Sequence, residues 1–300
     1  MSRLTSTELC TALAAGAMDV FYQPIATWSG HGSWQIGGVE ALVRCTRSNG
    51  ERVPPDRVLP VAERGGMIGQ LTHYVLSHAL SSLRSWQNQG LSLQVAVNLH
   101  AESLMDTGLA DRVGGMALAH GIEPRRLTLE ISERTPVVDL RRARETLNGL
   151  RAAGVRVALD DFGTGFALFT RIDTLPCDVI KIDKSLVLNM RCTQEAENAV
   201  AALIELGHSR GLSVCAEGVE DESALRKLGN LDCNMVQGYL LAQAMPAHEV
   251  PACVEEWNSG DTSRTSRHFQ QHVLPGIPST TCPAHDSFTD TGLYVRVPAA

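Results

Sequence analysis

The sequence predicts an α/β fold whose strands close into a barrel of the (β/α)8 type, and three observations predict it. Strand-like apolar runs recur along most of the chain with helix-like stretches between them. Such alternation indicates parallel strands joined by right-handed crossovers. The number of runs, about eight in roughly 240 residues, suits a closed barrel better than an open sheet. Alternation within the runs also separates an apolar face from a face of small or polar residues.

The strand candidates are short apolar runs rich in β-branched residues. In chain order they are residues 18–25, 34–40, 93–98, 127–131, 155–161, 178–183, 212–217 and 235–239. The helical candidates between them are residues 68–87, 111–120, 140–153, 194–211 and 222–228. Four of these helices have a glycine at their far end, where helix C-termini commonly need a left-handed residue: Gly90, Gly121, Gly154 and Gly211.

The two faces of each strand differ in chemistry. In residues 127–132, Leu127 and Leu129 share an apolar face, whereas Thr128 and Glu130 share the opposite one. We expect the apolar face to pack against outer helices and the other face to line the lumen. Five lumen-facing polar side chains then lie near the carboxyl ends of their strands: Asn98, Glu130, Asp160, Lys181 and Glu217. In a barrel, active sites assemble at that end.

Composition and charge limit the classes of function. The 44% hydrophobic and 20% charged residues are typical of a soluble globular chain. The net charge of −7 argues against a duplex nucleic-acid partner, although a few placed cations could still hold a small phosphate ligand. The eight scattered cysteines form no C-x-x-C pair, which favours reduced thiols over disulfides or zinc. With no signal peptide and no apolar run of ~18 residues, we expect a cytoplasmic protein without a membrane partner.

The C-terminal end has a different composition. Residues 258–300 are rich in Ser, Thr, Pro, Gly and Asp, and they show no helical or alternating pattern. We therefore predict a single domain over residues 4–257 followed by a largely disordered tail, with one short strand candidate at residues 293–297.

Adjacent carboxylates point to cation chemistry at the mouth of the barrel. Asp160 and Asp161 end an apolar run and lead directly into a glycine turn at residues 162–165. Two such groups repel each other unless a cation lies between them. With Glu40, five carboxylates and one lysine would leave four negative charges, which two divalent ions would cancel. Oxygen ligands of this kind suit Mg²⁺ or Mn²⁺, and a pair of such ions is widely used to cleave phosphodiesters.

Single residues of this set also have plainer interpretations. Glu130 alone could be a solvated or helix-capping group, and Asp160 with Asp161 could be an N-cap and turn pair. Lys181 is harder to explain, because a lysine that faces the lumen between two isoleucines needs a counter-charge. For the whole set the plain interpretation fails, since five strand ends would each carry a polar group by accident.

These residues resemble the EAL-domain cyclic di-GMP phosphodiesterases over roughly residues 4–257. The eponymous motif is Glu40-Ala41-Leu42, and eight motifs match in order. They are Tyr22-Gln23-Pro24-Ile25, the segment 38–44, Val97-Asn98-Leu99, the segment 129–133, the segment 160–165, Ile180-Lys181-Ile182-Asp183, the segment 216–220 and Gln237-Gly238-Tyr239.

The resemblance implies a modified (β/α)8 barrel that hydrolyses cyclic di-GMP to linear pGpG with two Mg²⁺ or Mn²⁺ ions. The implied metal ligands are Glu40, Asn98, Glu130, Asp160, Asp161 and Glu217. The implied catalytic residues are Glu40, Lys181, Glu217 and Gln237, with Lys181 orienting the attacking water. The implied substrate-binding residues are Gln23, Leu42, Arg44, Asp161 and Glu220. Glu133 would anchor the loop after Asp161, which in this family couples the site to dimer contacts.

Departures from the family pattern bear on regulation more than on chemistry. Cys45 stands where an aromatic residue often follows the motif, and His100 replaces the usual serine two residues after the asparagine ligand. We expect His100 to lie behind the metal ligands. In the loop, Ala167, Leu168 and Arg171 depart from the usual residues, which leaves the dimer-coupled mechanism open.

Two other functions stay open beside hydrolysis. One is a catalytically inactive receptor for cyclic di-GMP, and the other is a protein-interaction module that uses the surface of the barrel. A homodimer and an unknown regulatory protein partner are the expected protein contacts. No sensor sequence precedes the barrel, so we expect the signal to come from a partner, from oligomerisation or from transcription.

Overall fold

The computed structural model describes residues 4–29, 32–46, 52–53, 55–134, 136–164 and 172–260. These residues form a closed barrel of eight strands surrounded by helices. The predicted barrel fold is therefore confirmed. The loop departures Ala167, Leu168 and Arg171 lie outside the described residues, as do residues 261–300 of the predicted tail.

The strands are β1 Met18–Trp28, β2 Trp34–Thr46, β3 Arg52–Val53, β4 Gln94–Asn98, β5 Leu127–Ser132, β6 Arg156–Phe162, β7 Val179–Ile182, β8 Ser213–Ala216, β9 Met235–Gln237 and β10 Met245–Pro246. Six of the eight predicted strands begin and end within two residues of their predicted bounds. Strand β1 ends three residues and β2 six residues later than predicted, and the short strands β3 and β10 were not predicted. The helices are α1 Ser6–Ala14, α2 Pro55–Arg64, α3 Ile68–Asn88, α4 Leu109–Ala119, α5 Leu140–Ala152, α6 Lys184–Asn189, α7 Gln194–Ser209, α8 Glu222–Asn230 and α9 Val250–Asn258.

The barrel contains one strand of reversed direction, which corrects the expectation of parallel strands throughout. The order around the barrel is β1, β2, β4, β5, β6, β7, β8 and β9, with β9 closing against β1. Neighbours from β2 to β9 are parallel, whereas β1 is antiparallel to both β2 and β9. The reason is the short link between β1 and β2, because a parallel pair needs a crossover of a dozen or more residues.

Helix α1, which the periodicity did not predict, begins with a capping box. Thr5 Oγ1 accepts a hydrogen bond from the backbone N–H of Glu8 (3.2 Å). Glu8 Oε2 in turn accepts one from the backbone N–H of Thr5 (2.8 Å). These two bonds satisfy donors that a helix N-terminus would otherwise leave without partners.

The predicted alternation of faces is confirmed by two separate apolar clusters, one on each face of the strands. Leu129 on β5, Val157 on β6 and Ile180 on β7 are fully buried on the helix-facing side. The lumen at the amino ends of the strands holds a separate apolar cluster, which we call the barrel floor. It consists of the buried residues Ala158, Val179 and Cys215 with the partly buried Ile25 and Met235.

Asn258, the last residue of α9, is tied to the barrel. Its Oδ1 accepts a hydrogen bond from the backbone N–H of Ile36 (2.7 Å), and its Nδ2 donates to the carbonyl of Ile36 (3.2 Å). The domain boundary predicted at residue 257 stays a prediction, but a chain cut there would lose this contact.

Six cysteines in the described part are free thiols: Cys10, Cys45, Cys177, Cys215, Cys233 and Cys253. Burial raises the pKa of Cys177 and of Cys233 to about 12, so both stay protonated at neutral pH. The expectation of reduced thiols does not extend to Cys192, which is disulfide-bonded. Within the described residues, every helix is too short or too polar to cross a membrane.

Candidate active site

Lys181 lies at the mouth of the barrel with four carboxylates around its ammonium group. Its Nζ is 2.6 Å from Glu217 Oε1, 2.9 Å from Glu130 Oε2, 3.3 Å from Glu40 Oε2 and 3.6 Å from Asp160 Oδ1. The lysine side chain is only 3% exposed. We call these five residues the Lys181 cluster.

Strand register brings the Lys181 cluster together. Glu130 on β5 is the register partner of Asn98 on β4, and Asp160 on β6 pairs with Ser132 on β5. On each strand, residues two apart share a face. These side chains lie on the face that is turned toward the lumen. Residues far apart in the sequence therefore meet at one end of the barrel, as the alternation predicted.

The antiparallel strand β1 brings the amide of Gln23 next to that of Gln237 on β9. Its register puts Gln23 opposite Glu40 and Ile25 opposite Gln237. Gln237 Nε2 donates hydrogen bonds to Glu40 Oε2 (2.8 Å) and to Gln23 Oε1 (3.1 Å). Asn98 Nδ2 donates to the other oxygen of Glu40 (2.7 Å).

Gln237 Oε1 is a buried acceptor for which the described residues supply no hydrogen-bond donor. The residue is 4% exposed, and both N–H groups of its amide already have acceptors. A buried polar atom without a partner costs about 1–3 kcal/mol. This oxygen is therefore ready to accept a hydrogen bond from a bound molecule.

The Lys181 cluster carries more negative charge than its one lysine can balance. Burial, followed by the charge of Glu40, raises the pKa of Glu130 well above its usual value. Burial also raises the pKa of Asp160, and it raises that of Glu217 to about 7. Three acidic groups that resist ionisation show that the ammonium alone does not compensate the site.

Glu40 and Lys181 are the two groups of the cluster that stay charged. Burial acts to raise the pKa of Glu40, but Lys181 and the amides of Gln237 and Asn98 outweigh it and lower the pKa. Burial acts to lower the pKa of Lys181, but the charges of Asp160 and the other carboxylates raise it well above its usual value. The pair therefore forms the ionised centre of the site.

The donor set fits a divalent cation in chemistry and in charge. The side chains offer carboxylate and amide oxygens, the ligands that Mg²⁺ and Mn²⁺ prefer. Four carboxylates against one ammonium leave three negative charges if all ionise. As the side chains lie, however, no three Asp, Glu, His or Cys residues of the described part are arranged around a common metal position. They converge on Lys181 instead.

Asp161 lies beside the Lys181 cluster rather than within it. Its backbone has φ of 58°, a left-handed conformation that is uncommon for a residue other than glycine. Its Oδ2 accepts a hydrogen bond from Ser132 Oγ (2.8 Å) and is 3.8 Å from Arg134 Nε. The structure thus separates the two adjacent aspartates, since Asp160 faces Lys181 and Asp161 faces Arg134.

Other predicted residues lie around the mouth. Leu42 and Arg44 follow Glu40 on β2, and both are half-buried. Arg44 donates a hydrogen bond to the Val43 carbonyl (3.0 Å) and lies 5.9 Å from the centre of the Phe21 ring. These two side chains share the strand face of Glu40 and lie further toward the outside.

Three predicted positions have contacts outside the Lys181 cluster. Glu133 Oε2 accepts a hydrogen bond from the backbone N–H of Gly163 (3.2 Å), in the turn after Asp161. Glu220 lies 3.8 Å from Arg191 and forms no ion pair with the cluster in the described residues. His100 Nε2 lies 2.7 Å from Glu63 Oε1, so its ring is held by a residue of α2.

The interpretation of the sequence assigned no site role to Ser132, Arg134 or Asp183, although all three contact one another or Asp161. Arg134 Nη2 donates to Asp183 Oδ2 (2.8 Å). The only signal in the sequence was a basic residue, Arg134, two positions after Ser132 at the end of a strand. Its partner could not be found without knowing that β5, β6 and β7 are neighbours.

The chain is similar in sequence to known proteins. The family model for the EAL domain matches residues 6–244. The bifunctional diguanylate cyclase/cyclic di-GMP phosphodiesterase MucR of Pseudomonas aeruginosa is 36% identical over 218 residues, which are 72% of this chain and 32% of MucR. The oxygen sensor protein DosP of Escherichia coli is 34% identical over 246 residues, 80% of this chain and 30% of DosP. The chain thus spans less than a third of the length of these relatives.

Solved structures of similar chains share the fold. The phosphodiesterase of P. aeruginosa MucR, in complex with c-di-GMP, superposes with a TM-score of 0.74 and 34% identity, covering 81% of this chain and 98% of that one. The EAL domain of P. aeruginosa FimX bound to c-di-GMP superposes with a TM-score of 0.72 and 25% identity, covering 80% and 95%.

Proposed function

Because the chain belongs to the EAL domain family, we propose that it hydrolyses cyclic di-GMP to linear pGpG with the help of divalent cations. The observation that carries this proposal is the Lys181 cluster, in which two buried and two partly buried carboxylates from different strand ends surround one ammonium at the mouth of the barrel. The similar MucR phosphodiesterase binds c-di-GMP, which supports the choice of ligand.

We assign cation binding to the oxygen-bearing side chains of the mouth. The proposed ligands are Glu40, Asn98, Glu130, Asp160, Asp161 and Glu217. Two Mg²⁺ or Mn²⁺ ions bound there would supply charge neutralisation at the phosphate and activation of a water molecule. The protein would hold these side chains in a site from which most bulk water is excluded.

Lys181 and Glu217 would act on the attacking water. The Lys181 ammonium has three N–H donors and no acceptor, so it can orient a water molecule by donating to its oxygen. Glu217 Oε1, the carboxylate oxygen nearest to that ammonium at 2.6 Å, would accept a proton from the water. Gln237 Oε1, which is buried without a donor, would accept a hydrogen bond from the water or from the substrate.

The substrate would be held by residues at the rim. Arg44 would pair with a phosphate oxygen, because a guanidinium matches the geometry of that group. Gln23 and Leu42 would contact the rest of the dinucleotide from the same side of the barrel. We also assign a substrate contact to Glu220, with the requirement that it turn from Arg191, which lies 3.8 Å away.

A direct assay tests the proposal. Purified protein is incubated with cyclic di-GMP and Mg²⁺ or Mn²⁺, and the products are separated by chromatography with and without excess EDTA. We expect pGpG to form only with the cation present. Cyclic di-GMP bound but not cut would favour the inactive receptor. Neither binding nor cleavage would favour the protein-interaction module.

A matched pair of variants makes the assay specific to the site. Asp160→Asn removes a carboxylate of the Lys181 cluster and should abolish pGpG formation. Asp173→Asn removes an exposed carboxylate that pairs with Arg210 at 2.9 Å, and it should leave the rate unchanged. The homodimer and the regulatory partner stay predictions beside this proposal.

A further inference from the structure

Arg134 joins the carboxyl ends of two neighbouring strands that border the proposed site. It follows β5, and its Nη2 donates to Asp183 Oδ2 (2.8 Å) just after β7. Its Nε donates to Thr164 Oγ1 (3.3 Å) and lies 3.8 Å from Asp161 Oδ2, both at the end of β6. The planar guanidinium fork can make such contacts in two directions at once, which a lysine cannot.

Asp183 provides a rigid attachment for this arginine. It is 4% exposed, and its Oδ1 accepts hydrogen bonds from the backbone N–H and the hydroxyl of Ser185 (2.8 and 2.5 Å). Burial acts to raise the pKa of Asp183, but the bonds from Ser185 and the charge of Arg134 outweigh it, and the pKa is lowered. The two hydrogen bonds from Ser185 therefore fix the carboxylate at the start of α6.

Asp161 has less support of its own. Its backbone is left-handed, with φ of 58°. Ser132 Oγ is the hydrogen-bond donor to its carboxylate (2.8 Å). Asp161 also forms a side-chain hydrogen bond with Asp183, which is one of the contacts that lower the pKa of Asp183. Among the described residues, Arg134 is the only lysine or arginine within ion-pair distance of either one.

We propose that Arg134 is a positioning residue that ties Asp161 and Thr164 to the fixed Asp183 and so holds the Asp161 carboxylate in place to bind a divalent cation. This inference rests on the proposed function, in which Asp161 is a cation ligand. The opposite effect is also physically possible, because a guanidinium at 3.8 Å would repel a cation bound at Asp161. The sign of the change in cation affinity distinguishes the two.

The test uses Arg134→Gln, Asp183→Asn and the double variant of the full chain. Asp183→Asn removes the charge that holds Arg134 but keeps a good helix cap, since asparagine caps as well as aspartate. Mn²⁺ binding is measured by calorimetry, and the Mn²⁺ concentration for half-maximal cleavage of cyclic di-GMP is measured in parallel. Residues that orient metal ligands typically contribute about 10- to 100-fold to affinity, so we expect each single variant to bind Mn²⁺ about 10-fold more weakly.

Two further readouts separate positioning from a general loss of structure. Because both single variants break the same contact, the double variant should bind Mn²⁺ no more weakly than the weaker single one. Saturating Mn²⁺ should restore most of the turnover of Arg134→Gln. Arg134→Lys keeps the charge without the fork and should recover only part of the affinity.

Arg112→Gln is the matched control. Arg112 pairs with Asp106, and its side chain is 56% exposed, against 58% for Arg134. It borders a groove between α3 and α4, outside the proposed site. We expect Arg112→Gln to have the Mn²⁺ affinity and the thermal midpoint of the wild type. Arg134→Gln should have the same thermal midpoint as Arg112→Gln.

Several outcomes would overturn the inference. Unchanged or tighter Mn²⁺ binding by Arg134→Gln would do so, as would additive losses in the double variant or a wild type that takes up no Mn²⁺. A wild type that binds Mn²⁺ without cutting cyclic di-GMP would refute only the proposed hydrolysis, and calorimetry would still decide the role of Arg134.

Discussion

The mouth and the floor of the barrel are built by the same strands, two residues apart, and they differ in almost every physical property. On β6 the floor residue Ala158 is followed on the same face by Asp160, and on β7 Val179 is followed by Lys181. The floor is an apolar cluster. The mouth holds four carboxylates with one lysine.

Along each strand, the residues at the floor stabilise the fold, whereas the residues at the mouth form the proposed site. Burial of apolar side chains at the floor stabilises the fold by roughly 25 cal/mol per Å². Burial of carboxylates at the mouth opposes folding, as the raised pKa values of Glu130, Asp160 and Glu217 indicate. The variants below are chosen to break or to sharpen this contrast.

The largest effect is expected for Asp160→Asn at the mouth. Loss of a carboxylate proposed to bind the cations should lower turnover of cyclic di-GMP by about 10³-fold or more, equivalent to about 4 kcal/mol. Its free energy of unfolding should not fall, because the neutral amide needs no ionisation in a buried site. Rates from chromatography and urea titrations check both values. Wild-type turnover, or a clear loss of stability, would contradict the contrast between mouth and floor.

Lys181→Met tests whether the mouth depends on its one cation for folding. Removing one partner of a buried ion pair typically costs about 3–5 kcal/mol, since the remaining charges lose their counter-charge. We expect a loss of that size in urea unfolding. Adding Glu40→Gln should recover part of it, because Glu40 is the carboxylate of the cluster that stays ionised and the variant makes it neutral. A Lys181→Met protein as stable as the wild type would show that the carboxylates are already protonated.

Val179→Ala is the counterpart at the floor, two residues before Lys181. Val179 is 4% exposed, so truncating it removes about two buried methyl groups and leaves a cavity. The expected loss is about 2 kcal/mol in the free energy of unfolding. Turnover at a temperature well below the thermal midpoint should equal that of the wild type. A large fall in turnover at unchanged stability would mean that the floor shapes the site.

Sequence alone predicted the strands and their inward faces because the period of two residues is a local property of the backbone. Because of this period, the lumen positions of Asn98, Glu130 and Asp160 could be inferred before their neighbouring strands were known. The direction of β1 could not be inferred, since an apolar alternation reads the same in both directions. Helix α2 was not predicted because Pro60 lies within it and argues against a continuous helix.

The contacts between strand ends were the other part that sequence could not supply. Gln23 meets Gln237 through the reversed strand β1, and Arg134 meets Asp183 because β5 and β7 flank β6. Asp161 was expected beside Asp160, but its left-handed backbone turns it toward Ser132. Such details depend on tertiary register and on single backbone angles, which no pattern of residue types encodes.

The last effect concerns the amino end of the barrel, where Asn258 clamps β2 at Ile36. A chain that ends at residue 260 keeps both hydrogen bonds of this clamp, whereas a chain that ends at residue 257 loses them. Each bond contributes about 0.5–1.5 kcal/mol, so the shorter chain should be less stable by about 1–3 kcal/mol in urea unfolding. Both chains should cut cyclic di-GMP at the rate of the full chain when folded, since the clamp lies at the opposite end from Lys181. Equal stabilities would show that Asn258 adds nothing, and a slower rate in either chain would show that the C-terminal residues act at the mouth.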